Sequence, residues 1–432
     1  MKKVIYLSIL ICLSIVGCQK DESNSNAEVD APEVIYAHTE GDMTKTTVSN
    51  DGTKCSILWS AGDKIARFAT DGTVRRYTLN TGEGQKDATF KGDGGTPGTI
   101  STLSAYLAYT SMPIDGGVND QITCVETDGN FTVSHDHTTL SSQKYAENAF
   151  DYRAFPMVAV SDDGNDFSFK NVCGGILLKL KGTSKMDKII IKGLDDETIS
   201  GAYTVTASKD NDPYISLTGE GKTITMDCCD RQLDETATDF YVSVPPTPFE
   251  SGFSVTLTDT DGFSRTYNSK AGKSSIGRSE ILNMPEITFP VKEFDLTDDL
   301  SVGGGASYDK ETQVLTFTGS SNRYVDFSVT GIDLTKCKGI GIVTDDCNFN
   351  VKFAFYEKGK YSSTVGSREW LCYTPGNQSS KYVRSYDFPD WLIQEITKEG
   401  EPAVVDRIRL GLNSFTGDSG NPTIHLVRFI LY

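Results

Sequence analysis

The chain contains little of what catalytic sites and nucleic-acid surfaces are usually built from. Only four histidines occur in 432 residues, and 41 lysines and arginines stand against 59 aspartates and glutamates, which gives a formal net charge of −18. Nucleic acid and anionic lipid are bound by clustered Lys and Arg, so the shortage of positive charge excludes both as expected partners. No apolar run after Val16 approaches the roughly 20 residues that a membrane-spanning helix needs.

Recognisable catalytic and metal-binding motifs are also missing. No G-x-S-x-G or H-E-x-x-H stretch occurs. The Ala271–Ser275 segment lacks the first glycine of a phosphate loop, because position 267 is Tyr267. His135 and His137 have no obvious third ligand, so a solvated loop is favoured over a metal site. A glycosidase pair among the many carboxylates stays open, but we expect no enzyme activity, no cofactor and no metal.

Cysteine pairs with metal-site spacing are absent as well. The chain has 10 cysteines and no C-x-x-C pair. A location outside the cytoplasm permits disulfides, but their connectivity cannot be read from one sequence. Buried free thiols are slightly favoured over a full disulfide set.

The amino terminus carries a clear positive signal. Lys2 and Lys3 precede the apolar run Val4–Val16, whose length suits the core of a signal peptide. Gly17-Cys18 at its end matches a bacterial lipobox, in which the cysteine is lipidated and becomes the new amino terminus. An ordinary secretory signal with a chance cysteine is the alternative. We predict a lipoprotein signal peptide over 1–17.

The segment that follows predicts how the protein is displayed. Residues 18–33 are polar and free of aromatic residues, which is typical of a flexible tether. Gln19-Lys20-Asp21-Glu22 resembles the acidic export signal of Bacteroidetes surface lipoproteins. That resemblance implies a protein anchored by lipid to the cell outer membrane and exposed at the surface.

Alternating apolar and polar residues predict β-strands throughout the rest of the chain. Val325, Phe327 and Val329 alternate with polar residues, and the segment Phe349–Tyr356 repeats the pattern. The one helix expected is short, Trp391–Ile396, with Trp391 assigned to the core. Regularly spaced strands without a βαβ rhythm predict an all-β fold made of β-sandwiches. Asp-Gly pairs that suit hairpin turns recur, beginning at Asp51, Asp71, Asp115, Asp128, Asp163 and Asp261.

Four stretches point to a family. They are Thr44–Thr47 (TKTT), Ile57–Ile65 (ILWSAGDKI), Phe167–Gly175 (FSFKNVCGG) and Ile276–Pro285 (IGRSEILNMP). Through them, residues 34–290 resemble the fimbrillin family, the lipoprotein pilus subunits and adhesins of Bacteroidetes. The W-x-x-G-D pattern in the second stretch is the most specific of the four.

The resemblance implies two transthyretin-like β-sandwiches in tandem, 34–165 and 166–290. Fimbrillins assemble by adding a donated strand to a neighbour's open sheet edge, so other fimbrial subunits are implied partners. An envelope protease removes the family's leader after an arginine, and nothing in the sequence selects among Arg67, Arg75 and Arg76. The chain continues for about 140 residues after Pro290, where stalk subunits end, so a tip or accessory subunit fits better than a stalk.

The last part, 294–432, loosely resembles galactose-binding-like jelly rolls such as carbohydrate-binding modules. The resemblance is carried by four segments: Ile340–Val343, Phe349–Tyr356, Asp406–Leu412 and His425–Ile430. It implies a third β-sandwich that binds a ligand, with a glycan as the first choice.

Candidate ligand-binding residues follow from the chemistry of sugars, whose C–H faces pack on aromatic rings. Trp370 and Tyr373 lie in Ser367–Asn377, which is more typical of a loop than of a core strand. Tyr356 and Arg323 are the next candidates. For Trp370, the sequence favours neither a binding platform nor a place in the core.

The sequence therefore predicts a non-enzymatic surface lipoprotein, lipidated at Cys18. It would act as an adhesin, as a fimbrial tip or accessory subunit, with its C-terminal domain binding a glycan or another ligand on a host or bacterial surface. The alternative is a surface glycan-binding protein of a polysaccharide-utilisation system, in which the fimbrillin-like part is a spacer.

Overall fold

The computed structural model describes residues 32–40, 47–50, 55–110, 122–294, 296, 300–318, 323–344, 350–357, 369–373, 382–397, 404–414 and 422–432. In these residues nearly all regular structure is β-strand, and the predicted all-β sandwich class is confirmed. No helix in these ranges is long and apolar enough to cross a membrane.

The first twelve strands are β1 Val34–Thr39, β2 Thr47–Asn50, β3 Cys55–Leu58, β4 Lys64–Phe68, β5 Thr73–Thr81, β6 Asp87–Thr99, β7 Tyr106–Tyr109, β8 Ile122–Thr127, β9 Asn130–Thr139, β10 Ser142–Lys144, β11 Met157–Ser161 and β12 Asp166–Asn171. The next ten are β13 Gly174–Lys181, β14 Lys185–Gly193, β15 Ala202–Ala207, β16 Tyr214–Leu217, β17 Thr223–Gln232, β18 Thr238–Val244, β19 Phe253–Asp259, β20 Ser264–Asn268, β21 Ile281–Asn283 and β22 Ile287–Thr288.

The last part contains β23 Lys292–Glu293, β24 Leu300–Val302, β25 Ala306–Asp309, β26 Val314–Phe317, β27 Tyr324–Asp333, β28 Gly339–Thr344, β29 Asn350–Glu357, β30 Glu369–Tyr373, β31 Tyr382–Asp387, helix α1 Asp390–Thr397, β32 Val404–Ser414 and β33 Thr423–Leu431.

The first unit is a closed barrel with the strand order β1-β12-β11-β7-β4-β5-β6. β1 closes it by running parallel to β12 and antiparallel to β6. The core inside the barrel is rich in aromatic side chains, such as Trp59, Phe90 and Phe169.

The W-x-x-G-D stretch forms the turn that delivers Trp59 to this core. Trp59 is 2% exposed, and its Nε1–H donates to the carbonyl of Lys86 at 3.0 Å. Gly62 has φ +83°, a conformation that favours glycine, and Asp63 accepts a hydrogen bond from the Ser60 N–H at 2.8 Å. Trp59, Gly62 and Asp63, the three defining residues of the pattern, therefore each have a structural role in this turn.

Strands from either side of residue 165 share sheets. β12 belongs to the barrel, β15 and β16 extend the β8–β9 hairpin into a four-stranded sheet, and β10 pairs with β17. The sheet β18-β13-β21 lies between two cores, with Leu177 packed into one and Ile176 into the other. The first two units are thus interleaved, and their limits at 34–165 and 166–290 stay a prediction.

The C-terminal unit is a sandwich of two sheets. One has the order β25-β26-β33-β28-β31, and the other has the order β24-β27-β32-β29-β30. Both contribute to one core, in which the rings of Phe327 and Phe429 lie 4.4 Å apart and those of Phe294 and Phe429 lie 4.6 Å apart. Its likeness to galactose-binding-like jelly rolls stays a prediction.

The end of the chain is built into the second unit. Ile430 and Tyr432 belong to the same buried cluster as Phe263 of the second unit. At Gly341 on β28, a Cβ atom would come within 2.3 Å of the Phe263 ring. Because only glycine leaves room for that ring, the C-terminal sandwich is packed directly against the second unit.

Arg428 joins the same two units by charge. Its Nη1 group donates to Asp259 at 2.8 Å and to Asp261 at 2.6 Å, and its Nε group donates to Glu293 at 2.7 Å. The Arg428 side chain is 11% exposed and that of Asp259 is fully buried. Burial lowers the pKa of Arg428, but the hydrogen bonds and charges of Glu293 and Asp259 raise it by more. The net pKa is above its usual value, so the guanidinium group stays cationic.

The predicted helix is present, as α1, but one of its assignments is wrong. Trp391 is 50% exposed, whereas its neighbour Leu392 is buried. Leu392 therefore supplies the apolar contact, and Trp391 lies on the outer side of a short helix.

The described cysteine side chains are not joined in disulfides, the arrangement that the sequence slightly favoured. Cys124, Cys173, Cys228 and Cys337 are buried and Cys229 is exposed. Burial raises the pKa of Cys124 and of Cys337 to about 12, which makes both poor nucleophiles at neutral pH.

Candidate ligand-binding face of the C-terminal sandwich

The sheet β24-β27-β32-β29-β30 has one face in the core and one face turned away from it. Because side chains alternate along a strand, residues such as Phe327, Phe355 and Ile408 fill the core, and the residues between them point the other way. On the outer face, five side chains from three neighbouring strands come together: Tyr324, Asp326, Tyr356, Arg407 and Arg409. We call these five residues the Tyr–Arg face.

Asp326 is the anchor of the Tyr–Arg face. It accepts two hydrogen bonds from Arg409, at 2.6 Å from Nε and 2.9 Å from Nη2, and a third from Nη1 of Arg407 at 3.2 Å. The Asp326 side chain is 5% exposed, while Arg407 is 33% and Arg409 is 21% exposed. A paired buried carboxylate of this kind holds both guanidinium groups in fixed positions near the surface.

Two tyrosine rings support the arginines. The guanidinium carbon of Arg409 lies 3.4 Å from the centroid of the Tyr324 ring and 5.0 Å from that of Tyr356. The guanidinium of Arg407 lies 4.0 Å above the Tyr356 ring. Such cation–π stacking orients planar groups side by side along the sheet.

The five residues of the Tyr–Arg face comprise two guanidinium groups and one carboxylate. Burial lowers the pKa of Arg409, yet the hydrogen bonds and charge of Asp326 raise it overall, so Arg409 stays cationic. A rigid surface of guanidinium groups and aromatic edges can donate hydrogen bonds to hydroxyl or carboxylate oxygens of a ligand.

The four candidate residues from the sequence fare differently. Tyr356 lies in the Tyr–Arg face, although it is only 5% exposed. Arg323 immediately precedes β27 and is partly buried. The loop expected around Trp370 and Tyr373 is wrong, because both lie in β30, where the register pairs Trp370 with Phe355 and Tyr373 with Lys352. The side chains of Trp370 and Tyr373 lie outside the described residues, so their role stays a prediction.

Sequence reasoning missed Asp326, Arg407 and Arg409 as members of a site. The available signal was the pair of arginines on either side of Ile408, which an extended strand turns to the same face. Their partner is more than 80 positions away, since Asp326 and Arg409 are separated by 83 residues. Only the strand pairing brings them together.

The other candidate chemistry is not assembled in the described part of the chain. No group of three or more His, Cys, Asp or Glu residues that could hold a metal occurs there. The loop expected for His135 and His137 is wrong, because both lie in β9; their side chains lie outside the described residues. Arg67 is 3% exposed and its Nε–H donates to the carbonyl of Gly164 at 2.8 Å, so the folded barrel hides this arginine from a protease.

Comparison with known proteins gives structural neighbours only. No family model matches the chain, and no curated protein matches it. A suggested cell adhesion protein from Bacteroides ovatus is 13% identical, with a TM-score of 0.34, over 59% of this chain and 91% of that one. One from Parabacteroides distasonis is 12% identical, with a TM-score of 0.28, over 60% and 88%. A fimbrial protein from Bacteroides ovatus is 12% identical, with a TM-score of 0.22, over 73% and 58%. At these scores, the case for a function has to come from the chain's own residues.

Proposed function

We propose that this chain is a non-enzymatic, surface-displayed adhesin of the fimbrillin type whose C-terminal sandwich binds a ligand through the Tyr–Arg face. The observation that carries the proposal is the buried carboxylate of Asp326, which fixes Arg407 and Arg409 over two tyrosine rings on the outer side of a sheet. Polar groups held rigidly beside aromatic rings are what a saccharide or a glycan-bearing surface requires.

Arg407→Gln is the variant that tests this proposal. Arg409 keeps its two hydrogen bonds to Asp326, so the anchor stays paired while one exposed cation is lost. We expect retention on the cognate glycan to fall by about tenfold or more with little change in the free energy of unfolding. The matched control is Arg153→Gln, since Arg153 also pairs with a buried aspartate, Asp151, in another part of the molecule.

Three outcomes of that experiment decide the matter. Loss of retention in Arg407→Gln alone supports the Tyr–Arg face. Unchanged retention in Arg407→Gln, with loss in Trp370→Ala at unchanged melting temperature, would move the ligand to the Trp370 segment. Absence of binding by the wild-type chain to any glycan or host-cell surface would contradict the ligand-binding role.

Display at the surface depends on the lipobox. Because the thiol of Cys18 is the proposed acyl acceptor, Cys18→Ser should abolish lipid labelling and release the protein from the membrane fraction. Protease shaving of intact cells tests orientation, and complete resistance would argue against exposure at the outer membrane. Unchanged labelling of Cys18→Ser would contradict the lipoprotein assignment.

A second candidate is a surface glycan-binding protein of a polysaccharide-utilisation system. The same Tyr–Arg face favours it, because a free polysaccharide offers the same hydroxyl groups as a surface glycan. The two are distinguished by growth: deletion of the gene should impair adherence in the first case and growth on a polysaccharide in the second.

A further inference from the structure

A concave site lies beside β16, away from the Tyr–Arg face. It is an open groove of about 820 Å³, within the size range of small-ligand sites. The residues that line it include Tyr214, Ile215, Leu217, Pro245, Pro246 and Arg278. We propose that this groove binds a neutral oligosaccharide.

The aromatic platform would be Tyr214. Its side chain is 56% exposed, whereas Ile215 and Leu217 of the same strand are partly buried. Pro246, which is also exposed, lines the same groove. A tyrosine ring and a proline ring give two apolar surfaces against which the C–H face of a sugar can pack.

The polar groups of the groove are bonded to side chains that do not line it. Asp212 accepts a hydrogen bond from Nζ of Lys170 at 3.0 Å, and the Thr198 hydroxyl accepts one from Nζ of Lys222 at 2.8 Å. Arg278 is paired with Glu40 and lies 3.3 Å from Asp212. Fixed carboxylate, hydroxyl and guanidinium groups are the partners that sugar hydroxyls need.

The balance of charge selects a neutral sugar. Arg278 and Asp212 are the two charged residues that line the described groove, and they carry opposite signs. A uronic or sialic acid would find no unmatched cation in the groove.

The free edge of β16 adds main-chain hydrogen-bonding groups. The Thr218 N–H donates to the Ala202 carbonyl, and the register pairs Leu217 with Tyr203 and Ile215 with Val205. Because hydrogen-bonded and non-hydrogen-bonded pairs alternate along an antiparallel ladder, the N–H and C=O groups of Ile215 and Leu217 point away from β15. Among the described residues, no strand pairs with that edge. Two residues are too few to hold a donated strand, but they suit the hydroxyls of a sugar.

The test uses the full chain, purified in detergent, on an array of neutral and acidic oligosaccharides, followed by calorimetry with the neutral oligosaccharide that gives the strongest signal. Tyr214→Ala should weaken that binding by about tenfold or more, and Tyr214→Phe should retain most of it. The matched control is Tyr36→Ala, because Tyr36 is 54% exposed on β1 outside the groove. Arg407→Gln, the variant that tests the Tyr–Arg face, is measured alongside to tell the two sites apart.

Each other result overturns the inference. Full affinity in Tyr214→Ala at unchanged stability would exclude the groove, and equal loss in Tyr36→Ala would show a general effect. Loss only in Arg407→Gln would leave the proposed function intact and remove this site. Binding only to acidic sugars, or capture of extended peptides that Tyr214→Ala abolishes, would assign the groove to another ligand.

Discussion

Two arginines tie distant parts of this chain together, and they differ in depth. Arg278 joins the first two units by bonding to Glu40, to the Asn171 carbonyl at 3.0 Å and to Asp212 at 3.3 Å, with side-chain exposures of 22% for Arg278, 23% for Glu40 and 64% for Asp212. Arg428 joins the second unit to the C-terminal sandwich with exposures of 11% for itself and 0% for Asp259.

The difference teaches that burial, and not the number of bonds, sets how much the fold depends on each cluster. Both arginines make several hydrogen bonds to groups far away in sequence. Around Arg278 water can replace a lost partner, so the net loss is modest. Asp259 has no access to water, so the loss of Arg428 would leave a buried carboxylate without its counter-ion.

The largest effect is expected from Arg428→Gln. Removing one partner of a buried ion pair costs about 3–5 kcal/mol, and we expect a loss of that size in the free energy of unfolding measured with urea. The double variant Asp259→Asn/Arg428→Gln should recover much of this stability, because it has no unpaired charge at position 259. If Arg428→Gln alone lowered the free energy of unfolding by less than about 1 kcal/mol, burial would not distinguish the Arg428 cluster from the Arg278 cluster.

The same variant has a pH signature. Burial raises the pKa of Asp259 even beside Arg428, so its ionised form opposes folding once the pH exceeds that raised pKa. The opposition disappears as the pH falls through the raised value toward the unfolded value of about 4. The deficit of Arg428→Gln relative to wild type should therefore narrow in acid, and a constant deficit would contradict the role given to Asp259.

An intermediate effect is expected from Gly341→Ala. The added methyl would come within 2.3 Å of the Phe263 ring across the same junction, and overpacking of this kind costs about 1–3 kcal/mol. Gly304→Ala, in the same sandwich, is the matched control because nothing lies within 4 Å of its Cβ position. Equal unfolding free energies for the two variants would mean that the C-terminal sandwich does not press on Phe263.

The smallest effect is expected from Arg278→Gln. Its partners are partly solvated, so we expect a loss of about 1 kcal/mol in the same urea experiment, with greater sensitivity to salt than for Arg428→Gln. A loss as large as that of Arg428→Gln would invert the comparison.

Much of the fold could be predicted because it depends on local rules. The W-x-x-G-D stretch sets a glycine turn and a buried tryptophan, and alternation located strands such as β27 and β29. Asp128-Gly129 forms a hairpin turn with φ +52° and +73°, as the dipeptide predicts.

The rest depends on contacts that no local pattern contains. The helix pattern identified α1 but did not say that Leu392 rather than Trp391 faces the core, because a short helix offers few periodic positions. The Tyr–Arg face requires the register of β27, β32 and β29, and the Arg428 cluster requires the packing of two units. Tyr356 was a candidate for its residue type, whereas Asp326 became one only through its partners.

Native-state hydrogen exchange on the full chain tests most directly whether buried contacts couple the C-terminal sandwich to the second unit. If Arg428, Ile430 and Tyr432 bind the two together, the protected amides of β33 and of β19 should exchange with the same free energy of opening, as one cooperative unit. Exchange of β33 at a clearly lower free energy, while β19 stays protected, would contradict that coupling.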